Sequence, residues 1–244
     1  MKRFERKQIL IIGATGNLGS GLARFLRNEG AELILSARNE KKLTALGESL
    51  GVPCIPLGVL FSDNGVQLPD DAKALDGVVD AAGIAPLAPL KYIKDSDLHN
   101  CLTSNLERPI LYLRDLLKSG KLNDGASIVW LSSLAASLAT PGYAMYAASK
   151  AGLEAAARNM ARDLAPRGIR LNCIAPGMIE SEMADLAGEK ISEEVLSQHF
   201  KEYPLGPGRI NDVSEAAAFL LSAQSRWITG TVLTLDGGFG LMKG

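Results

Sequence analysis

Residues 9–19 have the sequence Ile9-Leu-Ile-Ile-Gly13-Ala-Thr-Gly16-Asn-Leu-Gly19. The apolar residues before the first glycine are typical of a buried strand, and the segment after the last glycine is typical of an amphipathic helix. Glycines at such a junction allow a tight turn and a close approach of the backbone to a phosphate, while the helix N-terminus offers N–H groups and a favourable dipole. The stretch therefore predicts a phosphate-binding turn in an α/β fold.

Short apolar segments alternate with longer amphipathic ones along the rest of the chain, which is the pattern of βαβ units that feed a parallel sheet. Strands are predicted at 9–12, 32–36, 54–57, 77–80, 127–132, 170–174 and 231–235. Helices are predicted at 18–29, 40–50, 96–117, 143–164, 192–203 and 213–221. We expect one domain over residues 1–244, a Rossmann-type doubly wound parallel sheet of about seven strands with helices on both faces. Residues 61–74 have no clear pattern, and a substrate loop or helix is expected at about 178–205.

The composition argues against several classes of function. The formal net charge is −1, so no overall field attracts nucleic acid or anionic lipid. Cys54, Cys101 and Cys173 lie far apart, without the spacing of a metal site or a redox pair. The apolar stretch before Gly13 is too short for a signal-peptide core or a membrane span. We expect a cytoplasmic protein that binds no metal, nucleic acid or membrane.

The most specific pattern is Tyr146-Ala-Ala-Ser-Lys150, which lies in a strongly helical segment. Residues four apart share one helix face, so the phenol and the ammonium are neighbours. A phenol has a pKa of ~10, and a neighbouring cation lowers it because the cation stabilises the phenolate. Ser133 ends a predicted strand, at the edge where parallel sheets bind ligands. These residues predict an acid–base pair with a serine that orients a substrate oxygen, whereas His99 and His199 lie in no context typical of an esterase.

In folds that bind a dinucleotide at such a turn, the end of the second strand indicates whether the ligand carries a 2′-phosphate, as NADP(H) does, or a free hydroxyl, as NAD(H) does. An acidic residue there binds ribose hydroxyls and repels a 2′-phosphate, whereas an arginine pairs with that phosphate. Ala37 occupies the position and Arg38 follows it. The pattern favours NADP(H) over NAD(H), and a solvated surface charge is the alternative interpretation of Arg38.

The spacing of Ser133, Tyr146 and Lys150, together with the glycine turn, resembles the short-chain dehydrogenase/reductase family. Asn105 falls where that family has an active-site asparagine, and residues 170–177 and 228–238 are similar to its late strands. The resemblance covers nearly the whole chain and is closest to bacterial 3-oxoacyl-[acyl-carrier-protein] reductases. It implies an NADP(H)-dependent oxidoreductase that interconverts a carbonyl and a secondary alcohol.

The resemblance also implies a role for each site residue. Tyr146 would donate a proton to the carbonyl oxygen as hydride reaches the carbon, and Ser133 would orient that carbonyl. Lys150 would hold the nicotinamide ribose, and Asn105 would anchor a water that relays protons. The implied cofactor-binding residues are Gly13, Thr15, Gly16, Asn17, Leu18, Gly19, Arg38, Ala82, Gly83, Tyr146, Lys150, Pro176, Gly177 and Ile179.

The chain departs from the family pattern at three places. The usual turn, TGxxxGxG, has its middle glycine where this chain has Asn17, and Gly16 stands one position earlier. Asp80-Ala81 replaces a pair of asparagines that braces the sheet, and Gly58 stands near the position of an acid beside the adenine. The altered turn permits two alternatives: an NADP(H)-binding regulator without catalysis, and an enzyme that modifies nucleotide sugars or steroids.

The expected partners follow from the same resemblance. The substrate is a small carbonyl or alcohol compound, and a carrier-protein thioester is one candidate. Specificity is expected in residues 84–90 and 178–203. The family is commonly tetrameric through the helix predicted at 143–164, so a homo-oligomer is expected. The apolar residues available for its contacts are Leu153, Ala156, Ala157 and Met160, although burial within one chain would explain them equally.

Overall fold

The computed structural model describes residues 2–62, 65–180 and 200–243, with side chains in the last range as far as Leu241. The strands are β1 (Gln8–Ile12), β2 (Glu32–Ala37), β3 (Cys54–Pro56), β4 (Phe61–Ser62), β5 (Gly65–Val66), β6 (Leu75–Asp80), β7 (Leu122–Leu131), β8 (Arg170–Pro176) and β9 (Val232–Leu235). The helices are α1 (Asn17–Asn28), α2 (Glu40–Leu50), α3 (Leu57–Leu60), α4 (Asp95–Leu102), α5 (Arg108–Lys118), α6 (Ala144–Leu164) and α7 (Ile210–Leu221).

Seven strands form one parallel sheet in the order β3-β2-β1-β6-β7-β8-β9. The chain builds outward from β1 to β3 and then crosses back to β6, so the strand order reverses between β1 and β6. Open α/β sheets bind ligands at such a reversal, beyond the carboxyl ends of the strands. The predicted fold class, a doubly wound sheet of about seven strands, is confirmed.

The sheet is buried on both faces because its strands are apolar at successive positions. Ile9 and Ile11 of β1 belong to one hydrophobic core, which includes residues of α1 and α7, and Leu10 and Ile12 belong to a second core with residues of α5 and α6. Continuous apolar strands of this kind are typical of parallel sheets that are covered by helices on both faces, whereas strands with one exposed face alternate between apolar and polar residues.

The four α6 residues that could have formed contacts between subunits pack mainly against the hydrophobic core of their own chain. Leu153 and Ala157 are each 1% exposed and belong to the second core. Ala156 and Met160 are partly buried against the same core. Burial within the chain therefore accounts for these four residues, and contacts between subunits are not needed to explain them.

The helix predicted at 96–117 forms, but it contains a π-helical turn that the sequence pattern did not indicate. A π-helical turn, Thr103–Glu107, separates α4 from α5, and the Arg108 N–H donates to the Thr103 carbonyl across it. Pro109 has no N–H, so it cannot donate to the Asn105 carbonyl, which would be its partner in a regular α-helix.

The two segments without a clear pattern differ in how much of them is described. Within 61–74, β4 and β5 form a short antiparallel hairpin directly after the single turn of α3. Residues 181–199 lie outside the described residues, and with them most of the predicted helix 192–203 and of the expected substrate segment. Within the described ranges, no helix combines the length and the apolarity needed to cross a bilayer.

Candidate active site

The turn between β1 and α1 uses its glycines in different ways. Gly13 has φ +79°, and a Cβ there would lie 2.5 Å from the Ala82 backbone nitrogen. A Cβ on Gly19 would overlap the Gly13 carbonyl oxygen. Gly16 is exposed, and the nearest atom to a Cβ there is the Gly13 oxygen at 3.5 Å. Gly13 and Gly19 are therefore needed for packing, whereas Gly16 keeps the N-terminus of α1 uncovered.

The N-terminus of α1 has the properties of an anion site. Gly16 is the N-cap residue, no side chain caps the helix, and its first turn carries no acidic residue. Thr15 and Asn17 flank Gly16 in the turn, and Leu18 lines the adjoining cavity. The first N–H groups of a helix have no intrahelical acceptor, and the helix dipole favours negative charge there. These features fit the pyrophosphate of a dinucleotide.

One cavity at the reversal of strand order brings half of the predicted site residues together. Ser133, Tyr146 and Lys150 all line it. The predicted cofactor-binding residues that line it with them are Leu18, Ala82, Gly83, Pro176 and Gly177. Because these residues come from the ends of β6, β7 and β8 and from α1 and α6, the tertiary fold assembles the site from five elements.

Lys150 is held by burial and by one hydrogen bond. It is 4% exposed, and its Nζ donates to the Leu131 carbonyl oxygen at 2.6 Å. The same Nζ lies 5.9 Å from the centroid of the Tyr146 ring, as the spacing on one helix face predicts. Ser133 accepts a hydrogen bond at its Oγ from the Ala135 N–H at 3.2 Å, which fixes the start of the loop after β7.

Asp80 places a buried carboxyl beside this lysine. It is 4% exposed, and its Oδ1 accepts a hydrogen bond from the Ala82 N–H at 2.9 Å. Burial raises the pKa of Asp80 to about 6, and the Ala82 N–H and the charge of Lys150 oppose that shift. Burial lowers the pKa of Lys150, and the charge of Asp80 is the strongest influence against it. The aspartate therefore braces the loop after β6 and partly compensates the buried ammonium.

We expect Asp80→Asn to change how stability depends on pH. The pKa of about 6 in the folded chain lies above the ordinary value of 3.8, so ionisation of Asp80 costs stability, and the cost grows as the pH rises from about 4 to about 6. As the pH falls from about 7 to about 5, the melting temperature of the native protein should therefore rise relative to that of Asp80→Asn. Scanning calorimetry of both proteins at each pH measures this difference. Asp163→Asn, which removes an exposed carboxylate from α6, is the control. Parallel pH curves for native protein and Asp80→Asn would contradict this account.

Asn105 connects the π-helical turn to the loop after β6. Its Nδ2 donates to the Ile84 carbonyl at 2.8 Å and to Ser149 Oγ at 3.0 Å, and its Oδ1 accepts from the Ile84 N–H at 2.8 Å. Ser149 Oγ donates in turn to the Tyr146 carbonyl at 2.7 Å. The amide side chain is thus used to position the loop and α6. A water-anchoring role would fall to the main-chain carbonyl, which Pro109 leaves without its α-helical donor.

A second cavity of about 400 Å³ shares Ser133 and Tyr146 with the first. Its volume lies in the range of small-molecule sites. Much of its lining is apolar or aromatic, with the side chains of Leu134, Leu138, Tyr143, Met178, Tyr203 and Phe239. Met178 and Tyr203 belong to the predicted specificity segment, whereas the loop after β7 and Phe239 were missed because nothing local marks them. Tyr203 stacks on Phe239 with ring centroids 4.6 Å apart.

Arg38 and Ile179 belong neither to the glycine turn nor to the lining of the first cavity. The side chain of Ile179 is 1% exposed in the core, so only its backbone is available to a ligand. A bridge to Gly208 uses the Met178 carbonyl and the Glu180 N–H, which leaves the amide groups of Ile179 itself out of the pairing. Arg38 is exposed at the end of β2 and lines a separate cleft.

Sequence reasoning missed one charged neighbour of the site. Glu154 accepts a hydrogen bond at Oε1 from Ser132 Oγ at 2.6 Å. It lies one helical turn after Lys150, and its charge also opposes the lowering of the lysine pKa. The spacing of four residues could have identified it.

Comparison with known proteins extends over nearly the whole chain. A family model described as enoyl-(acyl carrier protein) reductase matches residues 13–240. The chain is 34% identical over 235 residues to a 3-oxoacyl-[acyl-carrier-protein] reductase of Rickettsia felis, which covers 95% of this chain and 96% of that protein. A gluconate 5-dehydrogenase from Burkholderia cenocepacia, crystallised with NADP and tartrate, is 27% identical with a TM-score of 0.87, over 98% of this chain and 97% of that one. A short-chain dehydrogenase/reductase from Brucella melitensis is 27% identical with a TM-score of 0.85, over 98% and 99% of the two chains.

Proposed function

Because the chain belongs to the short-chain dehydrogenase/reductase family of oxidoreductases, we propose that it uses NADP(H) to interconvert a carbonyl and a secondary alcohol, as a 3-oxoacyl-[acyl-carrier-protein] reductase does. The observation that carries the proposal is that Ser133, Tyr146 and Lys150 line one cavity at the reversal of strand order. Neither a sensor nor a binding protein needs a phenol and an ammonium beside a serine hydroxyl at this place.

The residues around the cavity fit a dinucleotide. The uncovered N-terminus of α1 would bind the pyrophosphate, and the absence of a side chain at Gly83 leaves space beside Lys150, whose Nζ lies 3.5 Å from where a Cβ would be. Lys150 would donate to the hydroxyls of the nicotinamide ribose, and the backbone of Ile179 would bind the carboxamide. The bound cofactor supplies the hydride that reduces the carbonyl carbon.

Three side chains of the protein then transfer a proton to the carbonyl oxygen and stabilise the charge that develops there. The Ser133 hydroxyl donates a hydrogen bond to the carbonyl oxygen and orients it. The Tyr146 phenol donates its proton to that oxygen as negative charge develops there, and Lys150 stabilises the resulting phenolate. A water on the Asn105 main-chain carbonyl returns a proton to the site. In the oxidative direction the phenolate accepts the proton of the alcohol, so the same groups serve both directions.

The second cavity supports a substrate with an apolar part next to the reacting carbonyl. A 3-oxoacyl thioester has a short acyl chain on one side of its ketone, which suits a lining of Leu134, Leu138 and Phe239. A carrier-protein thioester or a small free ketone is therefore the proposed substrate class. By family resemblance we also expect the protein to form a homo-oligomer, namely a tetramer. Sedimentation velocity measures this oligomeric state.

A panel of ketones and 3-oxoacyl thioesters, assayed with NADPH and with NADH, tests the proposal. We expect loss of dihydronicotinamide absorbance that depends on the carbonyl substrate and is faster with NADPH. Tight NADPH binding without turnover of any compound would favour a regulatory protein instead. Absence of binding of either dinucleotide would contradict the proposal altogether.

Arg38→Ala tests the cofactor preference. If the guanidinium pairs with the 2′-phosphate, its loss should weaken NADPH binding by about tenfold or more, because a hydrogen bond between charged groups contributes more than one between neutral groups. NADH binding should change little. Fluorescence titration of both cofactors measures the two effects, and an equal loss for both would remove this role of Arg38.

A further inference from the structure

A third cavity, larger than the two already described, lies at the carboxyl ends of β2 and β3. It has a volume of about 700 Å³ and extends from Arg38, at the end of β2, past Leu57 and Gly58, which follow β3, to the outer side of α5. The cleft exists because the segment after β3 forms only the single turn of α3 and the β4–β5 hairpin. Carboxyl ends of neighbouring parallel strands are where open sheets bind ligands.

Two arginines of this cleft have no hydrogen-bond or ion-pair partner among the residues that the structure describes. Among the described residues, neither Arg38 nor Arg108 forms a hydrogen bond or an ion pair with another residue. A third arginine, Arg114, is satisfied because it donates from Nε to Asp115 Oδ1 at 2.8 Å. The cleft therefore offers two uncompensated guanidinium groups, which favours an anionic ligand of fixed shape.

An aromatic pair forms part of the same wall. The rings of Phe61 and Tyr112 are stacked, with centroids 4.0 Å apart and an interplanar angle of 12°. Burial raises the pKa of the Tyr112 phenol, and the charges of Arg108 and Arg38 both act against this shift, so the two guanidinium groups lie close enough to act on the same hydroxyl. The aromatic pair thus lines the same cleft as the two arginines and offers an apolar surface for a heterocyclic base.

We propose that Arg108 is a second specificity residue for the cofactor, and that with Arg38 it binds the 2′-phosphate of the adenosine end of NADP(H) in this cleft. The inference rests on the proposed function, because it concerns the same dinucleotide, but it assigns a new residue on a different element. A single arginine at the end of β2 approaches the phosphate from the β2 side. Arg108, the first residue of α5, approaches from the α5 side, and Gly58, which also lines the cleft, adds no side chain to it.

Binding of two small probes tests the role of Arg108 without any turnover. We expect Arg108→Ala to weaken binding of 2′,5′-ADP and of NADPH by about tenfold, and to change binding of 5′-AMP and NADH by less than about twofold. Arg162→Ala is the matched control, because it removes an exposed arginine of α6 that does not line this cleft and changes the net charge equally; it should leave all four affinities unchanged. Isothermal titration calorimetry at low ionic strength gives the affinities. Repeating the titrations at high salt shows how strongly salt screens the attraction between the arginine and the phosphate.

The outcomes separate this inference from the proposed function. If the native protein binds NADPH and Arg108→Ala binds 2′,5′-ADP as tightly as Arg162→Ala does, the role of Arg108 is wrong and the proposed function stands. An equal loss for 2′,5′-ADP and 5′-AMP would also overturn it, because it would indicate a structural effect rather than phosphate recognition. If the native protein binds neither dinucleotide, the proposed function itself fails. Arg108→Lys should restore part of the lost affinity, since it keeps the charge but not the planar fork.

Discussion

Tyr146→Phe is expected to lower kcat by about 10²–10⁴-fold, the contribution of a positioned general acid. The substitution removes one hydroxyl and keeps the ring, which contacts Lys150 with the Nζ 5.9 Å from its centroid. Packing of α6 and binding of NADPH should therefore change little. Steady-state kinetics with a ketone from the active panel, together with an NADPH titration, measure the two quantities separately.

Tyr143→Phe is the matched control for this experiment. Its ring centroid lies 5.8 Å from that of Tyr146, and both side chains line the second cavity. Tyr143 lies one residue before α6 and is not four residues from Lys150, so the helix spacing that brings the Tyr146 phenol and the ammonium together does not apply to it. We expect a changed KM and a kcat within about threefold of the native value, since uniform binding contacts affect KM more than kcat. A Tyr146→Phe enzyme as active as Tyr143→Phe would exclude the proton-transfer role.

Gly13→Ala is expected to have the largest effect on folding and cofactor binding together. The backbone at Gly13 has φ +79°, which disfavours any L side chain by about 1–2 kcal/mol. The added Cβ would also lie 2.5 Å from the Ala82 nitrogen and 2.7 Å from the Ala81 carbonyl carbon. Those atoms belong to the backbone after β6, so relief of the overlap requires β1 and β6 to move apart at the cofactor site. Overpacking of this kind costs about 1–3 kcal/mol more.

Gly51→Ala separates the conformational cost from the overlap. Gly51 ends α2 with φ +61°, and no atom lies within 4 Å of a Cβ built there. Urea unfolding should therefore show a loss of about 1–2 kcal/mol for Gly51→Ala and a larger loss for Gly13→Ala. NADPH affinity should fall only for Gly13→Ala. Equal losses of stability for the two variants would mean that the contact between the turn and the β6 loop is not as tight as described.

The family resemblance rests on features that are local in sequence. The strand–turn–helix at residues 9–19 and the spacing of Tyr146 and Lys150 each lie within one or two elements, so the backbone periodicity of those elements determines which side chains are neighbours. The alternation of apolar and amphipathic segments predicted the doubly wound sheet for the same reason. The departures at Asp80 and Gly58 were also visible in the sequence, but their consequences were not.

Tertiary packing decided the contacts between residues far apart in the chain. Asp80 and Lys150 are 70 residues apart, and only the pairing of β6 with β7 and the packing of α6 bring their charges together. The π-helical turn at Asn105 arises where its amide binds the Ile84 backbone, a contact that no periodic pattern encodes.

By itself, the sequence determined the sheet, the glycine turn before α1 and the juxtaposition of Tyr146 and Lys150, because each depends on spacing within a strand or a helix. Only the tertiary structure decided that Arg38 and Arg108 line one cleft and that Phe239 adjoins the second cavity. The physical reason is that burial and charge at these places depend on which distant elements pack together, and many sequences with the same local pattern could pack differently there.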